Sequence, residues 1–189
     1  MIYQAFGKRV MDILVSLSAL IIFSPILLMI YFLIKIFDPG PAIFRQTRLG
    51  RNDESFILYK FRSMPVNTEN IASDKISAVK IGSVGKFIRR TNIDELPQLF
   101  NILCGDMSLV GPRPPILSQA ELIEARRANG ALMCRPGLTG LAQIYSFDGM
   151  TVGQKAEYDG IYVNSVTFFG DIKIIFGTFS YLLKPPPIY

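Results

Sequence analysis

The sequence predicts a mostly helical α/β chain in which an apolar N-terminal helix precedes a compact α/β domain with amphipathic helices. Three observations predict it. Residues 13–34 carry no charge, and a run of about 20 apolar residues is long enough to span a bilayer. Asp38-Pro39-Gly40-Pro41 then stops any helix. Beyond it, short strand-like runs and helical apolar stripes alternate between proline and glycine turns.

Composition narrows the chemistry. Half of the 189 residues are hydrophobic, only 19% are charged, and the mean hydropathy is +0.33, which is apolar for an ordinary soluble domain. Histidine is absent, so Ser/His/Asp and Cys/His triads and histidine-containing zinc sites are excluded. The two cysteines, Cys104 and Cys134, are too few for a Cys-only zinc site and lack CxxC spacing, so a reducing compartment is expected. The net charge of +5 points to an anionic partner: nucleic acid, anionic lipid or a phosphorylated substrate.

Lys8, Arg9 and Asp12 precede the apolar run and Lys35 follows it. The run is longer than a signal-peptide core and has no cleavage signature, so it is expected to stay on the mature protein. Ser24-Pro25 lies near its middle, where proline removes a backbone donor and the serine hydroxyl can cap a freed group. Two readings stay open: a spanning helix with a tolerated kink, or a bent, re-entrant hairpin whose halves, roughly 17 Å each, leave by the face they entered. Basic residues at both flanks, Lys8 and Arg9 against Lys35, Arg45, Arg48 and Arg51, place both in the cytoplasm.

In the polar body, residues 42–44 and 55–61 read as strands around Gly50-Arg51-Asn52-Asp53, and residues 65–79 as a polar loop. A helix over residues 83–90 sets Lys86, Arg89 and Arg90 on one face, where they can hold a phosphate. A second helix is expected to begin at Asp94-Glu95 and to bury Leu96, Leu99, Phe100 and Leu103, with Asn92 and Glu95 as a capping box. Gly111-Pro112-Arg113-Pro114-Pro115 is a rigid turn, residues 116–129 an exposed helix, and Arg135-Pro136-Gly137-Leu138-Thr139-Gly140 a turn before a strand at residues 141–145. Ile172, Ile175, Phe176, Phe179, Leu182 and Leu183 form a helical stripe that fits a core or a lipid interface. Lys184-Pro185-Pro186-Pro187 ends it.

Adjacent carboxylates at a helix start commonly serve the macrodipole alone. Here Asp94 and Glu95 follow a basic helix face, and a carboxylate beside a bound phosphate is a nucleophile or a magnesium ligand. The sequence has no GxxxxGK[ST] and no GxGxxG, which removes support from ATPase and dinucleotide readings, and no Asp-x-Asp pair, which counts modestly against a glycosyltransferase that moves the sugar without its phosphate. No nucleic-acid reader motif is present, and no nucleic-acid partner is expected. The rival to an enzyme is a non-catalytic membrane adaptor that binds anionic lipid or protein, with the acid pair as a cap.

Five motifs then carry a family resemblance: Lys8-Arg9-x-x-Asp12 before the Ser24-Pro25 break, Lys60-Phe61-Arg62-Ser63-Met64, Asp94-Glu95-Leu96-Pro97-Gln98-Leu99-Phe100-Asn101, Gly105-Asp106-Met107-Ser108-Leu109-Val110-Gly111-Pro112-Arg113-Pro114, and Arg135 to Gln143. The chain resembles the bacterial sugar transferases, and among them the small monotopic phosphoglycosyl transferases. The resemblance implies a re-entrant membrane helix over residues 1–37 and a catalytic α/β domain with interfacial helices over residues 38–189, on the cytoplasmic face of the bacterial inner membrane. It implies transfer of a sugar 1-phosphate from a UDP-sugar to polyprenyl (undecaprenyl) phosphate, with release of UMP, to start surface glycan assembly. By the same resemblance Asp94 is the nucleophile and Mg²⁺ ligand and Glu95 its partner acid. Lys60, Arg62, Arg89 and Arg113 are expected to contact phosphate or nucleotide, with Arg135 and Gln143 as further contacts. Ser24 and Pro25 form the hairpin, anchored by a contact of Lys8 or Arg9 with Asp171. Membrane lipids and a homodimer partner complete the expectations. By the same resemblance a small form without the extra N-terminal membrane bundle of larger relatives is expected, and Ile144-Tyr145-Ser146-Phe147-Asp148-Gly149 lacks the Gly-Arg many small members carry after the same glutamine, which leaves the donor sugar open.

Overall fold

A computed structural model describes residues 3–66, 81–145 and 150–182. The polar stretch 67–80, Ser146 to Gly149, and Leu183 with the Lys184-Pro185-Pro186-Pro187 stop lie outside the described residues.

A π-turn at Tyr3–Gly7 leads into α1, Lys8–Phe37. By length and composition, Tyr3–Phe37 is apolar enough to cross a membrane, and little of it is buried. The helix is continuous through Pro25, and Ser24 explains how. Pro25 has no N–H to give the Ile21 carbonyl four residues back, and the Ser24 hydroxyl donates to that same carbonyl at 2.8 Å.

Both ends of α1 dock on the folded body. Near its start, Asp12 accepts from the Ser108 hydroxyl at 3.0 Å and the Leu109 amide at 2.9 Å. Arg9 donates to the Ile102 and Leu103 carbonyls at 2.6 and 2.9 Å, which satisfies orphan acceptors at a helix C-terminus. Lys8 pairs with Asp171 at 2.7 Å, and Asp171 also accepts from the hydroxyls of Tyr3 and Tyr162 at 2.6 and 2.8 Å. Near its end, Ile30 and Ile34 are buried with Ala42, Phe61 and Ile88, each worth about 2 kcal/mol of apolar burial. Residues 21–26, between these two docks, are all exposed.

After the Pro/Gly stop, β1 (Ile43–Leu49) pairs antiparallel with β2 (Ser55–Phe61) in the register Ile43↔Phe61 to Leu49↔Ser55. The first strand is longer than the expected 42–44, because its polar half, Arg45 to Arg48, is paired across the hairpin to Tyr59, Leu58, Ile57 and Phe56. Pairing to an apolar partner overrides its own weak strand pattern.

Helix α2 (Ser83–Arg90) has the expected bounds. The acid pair does not open the next helix: Ile93–Glu95 is a separate 3₁₀ turn, and α3 (Gln98–Cys104) starts after Pro97. The expected capping box is also corrected. Asn92 sits at φ 53° with no side-chain cap, and the Glu95 carboxylate is held by Lys60 and Arg113 instead.

Strand β3 (Ser108–Val110) and β4 (Gly137–Thr139) form a second, parallel pair across the crossover helix α4, Ala120–Ala128. Helix α4 is shorter than 116–129 and is not fully exposed: Leu122, Ile123 and Arg126 are buried. The strand expected at residues 141–145 is helix α5, Leu141–Tyr145, and the strand lies just before it. Five residues are too few for periodicity to separate the two. The glycines of these motifs are required by close approach. A Cβ at Gly137 would collide with the Gly111 backbone, and one at Gly140 with the Gly111 carbonyl.

Helices α6 (Val152–Asn164) and α7 (Phe168–Leu182) complete the fold. The main core gathers Leu58 of β2, Leu99 and Ile102 of α3, Leu109 and Val110 of β3, Tyr162 of α6 and Ile174 of α7. On α7 the docked residues are Asp171 and Ile174, whereas Phe176, Phe179 and Leu182 of the expected stripe are exposed.

Candidate active site

Three segments converge on one carboxylate oxygen. Lys60, the penultimate residue of β2, donates to Glu95 Oε1 at 2.7 Å, and Arg113, in the turn after β3, donates to the same oxygen at 2.7 Å. Asp94 is next to Glu95 in the 3₁₀ turn. Arg89, in the last turn of α2, adds a third positive charge acting on Asp94. Lys86 and Arg90 of the same expected basic face are exposed.

These neighbours push the two acids apart. Burial, and then the adjacent Glu95 carboxylate, raise Asp94 to about 6, against the pull of Lys60, Arg89 and Arg113. Burial alone would raise Glu95 too, but Arg113 and then Lys60 outweigh it and hold that carboxyl well below the usual range. Near neutrality the pair is therefore one fixed anion and one carboxylate that takes a proton as the pH falls through about 6. Two neighbouring acids with separated proton affinities are suited to different roles.

Several residues outside the expected set hold this geometry. Asn101 of α3 is fully buried. Its side chain donates to the Ile57 carbonyl at 2.7 Å and accepts from the Tyr59 amide at 3.1 Å, so it pairs with β2 as a strand would and fixes Lys60 against α3. Arg126 donates to the Arg113 carbonyl at 2.7 Å and pairs with buried Asp159 of α6 at 2.6 Å. Arg48 of β1 donates to the Pro114 carbonyl at 2.9 Å. Burial and then the charge of Arg113 lower Arg48 to about 10. The sequence signal for Arg126 was an arginine on the apolar side of a helix with Leu122 and Ile123, which requires a buried acid.

Other expected contacts lie elsewhere. Arg62 is buried, donates to the Asp38 carbonyl and pairs with the Asp38 carboxylate at 3.4 Å, so its contacts are at the end of α1. Arg135 donates to the Gly105 carbonyl at 2.8 Å and lines a cavity at the start of α1. Gln143 donates to the Leu138 carbonyl at 3.1 Å, and its buried amide oxygen has no partner among the described residues. Ser24 and Pro25 are in the exposed middle of α1, and Lys8, not Arg9, is the residue paired with Asp171.

Residues 3–185 match the family of bacterial sugar transferases. The chain belongs to that family. It is 40% identical, over 97% of its length, to an undecaprenyl-phosphate galactose phosphotransferase of Salmonella typhimurium, of which the match covers 42%. It is 42% identical, over 90% of its length, to a UDP-glucose:undecaprenyl-phosphate glucose-1-phosphate transferase of Klebsiella pneumoniae, of which 39% is covered. An exopolysaccharide production protein of Rhizobium leguminosarum is 40% identical over 90% of the chain and 92% of its own length. This sugar transferase thus spans about two fifths of the length of the first two relatives and nearly all of the third.

The opposed shifts of the acid pair make a prediction. Glu95→Gln removes the anion that raises Asp94 and releases Lys60 and Arg113 to act on it, so the Asp94 midpoint should fall below about 6. Carboxyl ¹³C NMR of aspartate-labelled protein measures it, and an unchanged or higher midpoint contradicts the coupling.

Proposed function

We propose that this sugar transferase moves a sugar 1-phosphate from a UDP-sugar to a polyprenyl phosphate, yielding polyprenyl-diphosphate-sugar and UMP, as a first step of surface glycan assembly. The observation that carries the reading is Asp94, a carboxylate of raised pKa in a cluster with Lys60, Arg89 and Arg113. An anion of that kind attacks phosphorus only where cations offset the charge of the phosphates it approaches. The activities named for the Salmonella and Klebsiella relatives support the same reaction class.

In the first half-reaction an Asp94 oxygen bonds to the sugar-bearing phosphorus, and the bond from that phosphorus to the bridging oxygen breaks, so that UMP leaves with its electron pair. In the second, an oxygen of the polyprenyl phosphate bonds to the same phosphorus and the acyl-phosphate bond breaks, which returns Asp94 as a carboxylate. Glu95 fixes Lys60 and Arg113 beside the phosphates. Arg89 and Arg113 are the guanidinium donors to the diphosphate.

The donor set fits Mg²⁺. Among the described residues there is no group of three or more metal-ligating side chains, but Mg²⁺ is commonly held by one or two carboxylates with substrate phosphates supplying the rest. Asp94 would hold it, with the Glu95 oxygen that carries neither ion pair as a second donor. When bound, the ion supplies charge neutralisation at the phosphoryl oxygens.

Residues 1–37 are the membrane element in this reading and residues 38–189 the catalytic domain. A re-entrant placement on the cytoplasmic face is supported by the docking of α1: one folded body buries Asp12 and Ser16 near its start and Ile30 and Ile34 near its end, with residues 21–26 exposed between them. A helix that crossed a core about 30 Å thick would carry its ends to opposite sides, where one body cannot cover both. The exposed Phe176, Phe179 and Leu182 face of α7 would lie in the interface.

Two experiments test the reading. Detergent-solubilised protein with Mg²⁺, undecaprenyl phosphate and a panel of UDP-sugars should release UMP from at least one donor, and Asp94→Asn should lower the rate by about 10⁴-fold or more. Release of UDP would make it a simple glycosyl transfer, and no UMP from any donor by folded protein would return the adaptor reading. In a Cys104→Ser, Cys134→Ser background, single cysteines placed at Gln4 and Asp38 should both react with an impermeant reagent from the cytoplasmic side. Labelling from opposite sides rules out the hairpin.

A further inference from the structure

A cavity of 210 Å³ opens where α1 begins, and Lys8, Arg9, Arg51 and Arg135 all line it, together with Asp12 and Cys134. Four cations from three separate segments thus face one small space. Two carboxylates stand near them, and both are committed. Asp12 accepts from Ser108 and the Leu109 amide, and Asp171 accepts from Lys8, Tyr3 and Tyr162.

The remaining guanidinium groups are under-used. Arg9 donates to two carbonyls, which do not neutralise its charge. Among the described residues, Arg51 and Arg135 each donate from Nε alone, to the Met133 carbonyl at 2.9 Å and the Gly105 carbonyl at 2.8 Å. Each guanidinium has five N–H donors, so most of both forks remains for another partner. Burial and then the charges of Arg9 and Arg51 lower the pKa of Arg135. Crowded like charges of this kind are relieved by an anion.

The cavity is electrostatically separate from the acid pair. The cations acting on Asp94 and Glu95 are Lys60, Arg89 and Arg113, and none of them lines it. Its volume falls short of the roughly 300 Å³ at which pockets for drug-sized ligands begin, which suits a phosphate group better than a nucleotide. The surroundings of its lining residues identify the source of the phosphate. Gln4 and Val166 line it and are hydrogen-bonded at 3.1 Å, and an aromatic patch adjoins them. The Tyr3 and Phe168 rings are 5.7 Å apart and those of Phe168 and Phe169 5.5 Å. Phe6 is 71% exposed and Phe169 82%. Bare aromatic rings beside the start of an apolar helix belong at a membrane surface.

We infer that this cavity holds the phosphodiester headgroup of an anionic membrane lipid, with Arg51 and Arg135 as its guanidinium donors and the acyl chains leaving past Phe6 and Phe169. The bound headgroup fastens the base of α1 to the bilayer surface independently of catalysis. The inference rests on the membrane reading of α1 but not on the transfer reaction, so a binding assay without turnover separates its failure from that of the proposed activity.

The test is thermal unfolding of the full chain in neutral detergent, with phosphatidylglycerol, phosphatidylcholine or inorganic phosphate titrated in. A ligand that binds only the folded state raises Tm in a saturable way. Phosphatidylglycerol should do so, phosphatidylcholine and inorganic phosphate should not at matched concentration, and Arg51→Gln should raise the half-saturating concentration by about tenfold. Arg51→Lys, which keeps the charge, should recover part of the loss. Half-saturation is read against each variant's own lipid-free Tm, so a change in intrinsic stability does not mimic the result. Equal stabilisation by phosphatidylcholine, equal stabilisation by inorganic phosphate, or an unchanged half-saturation in Arg51→Gln each overturns the assignment.

Discussion

Glu95 Oε1 accepts from Lys60 and from Arg113, each at 2.7 Å, and this shared oxygen joins the hairpin, the 3₁₀ turn and the turn after β3. The side chain is partly buried, so the two cations act on it with limited screening and keep it ionised. Its permanent charge is in turn one reason its neighbour Asp94 titrates at about 6. Structure and proposed chemistry therefore draw on the same junction. The ion pairs that hold three segments together also keep ionised the carboxylate whose charge, after burial, raises the candidate nucleophile.

The junction works only because its three segments are fixed from behind. Asn101 ties β2 to α3, Arg126 with Asp159 grips the Arg113 carbonyl, and Arg48 grips the carbonyl of Pro114. The N-terminal motif does comparable work at the other end of the molecule. Lys8, Arg9 and Asp12 lie within the first two turns of α1, and each docks on a different element, at Asp171, at the end of α3 and at β3. A long apolar helix is held to the body by polar contacts at its start and by Ile30 and Ile34 near its end. That leaves its exposed middle for the membrane reading.

Much of this was legible in the sequence because it rests on local rules. The apolar run, the Pro/Gly stop after it, the bounds of β2 and α2, and the function of Ser24 beside Pro25 follow from periodicity and backbone donors. The acid pair was recognisable as a site, but its surroundings were not those of a helix start, since Pro97 delays α3 and tertiary ion pairs take the carboxylate from its expected cap. Residues 141–145 were misread because a short apolar segment carries no period of its own. Arg62 and Arg135 were grouped with the site by motif, whereas their contacts are at Asp38 and Gly105. Long-range pairing decides such placements, and a one-dimensional pattern does not encode which carbonyl an arginine will meet.

The central claim is that Asp94 carries the phosphosugar between two half-reactions. It is tested most directly by exposing the protein to a UDP-sugar labelled with ³²P at the sugar-bearing phosphate, with Mg²⁺ and no polyprenyl acceptor, and then mapping the label after proteolysis. Label is expected on the peptide containing Asp94, removable by hydroxylamine as an acyl phosphate is, and discharged when undecaprenyl phosphate is added. Turnover with full acceptor but no protein-bound label under single-turnover conditions, or label on a peptide without Asp94, would contradict it.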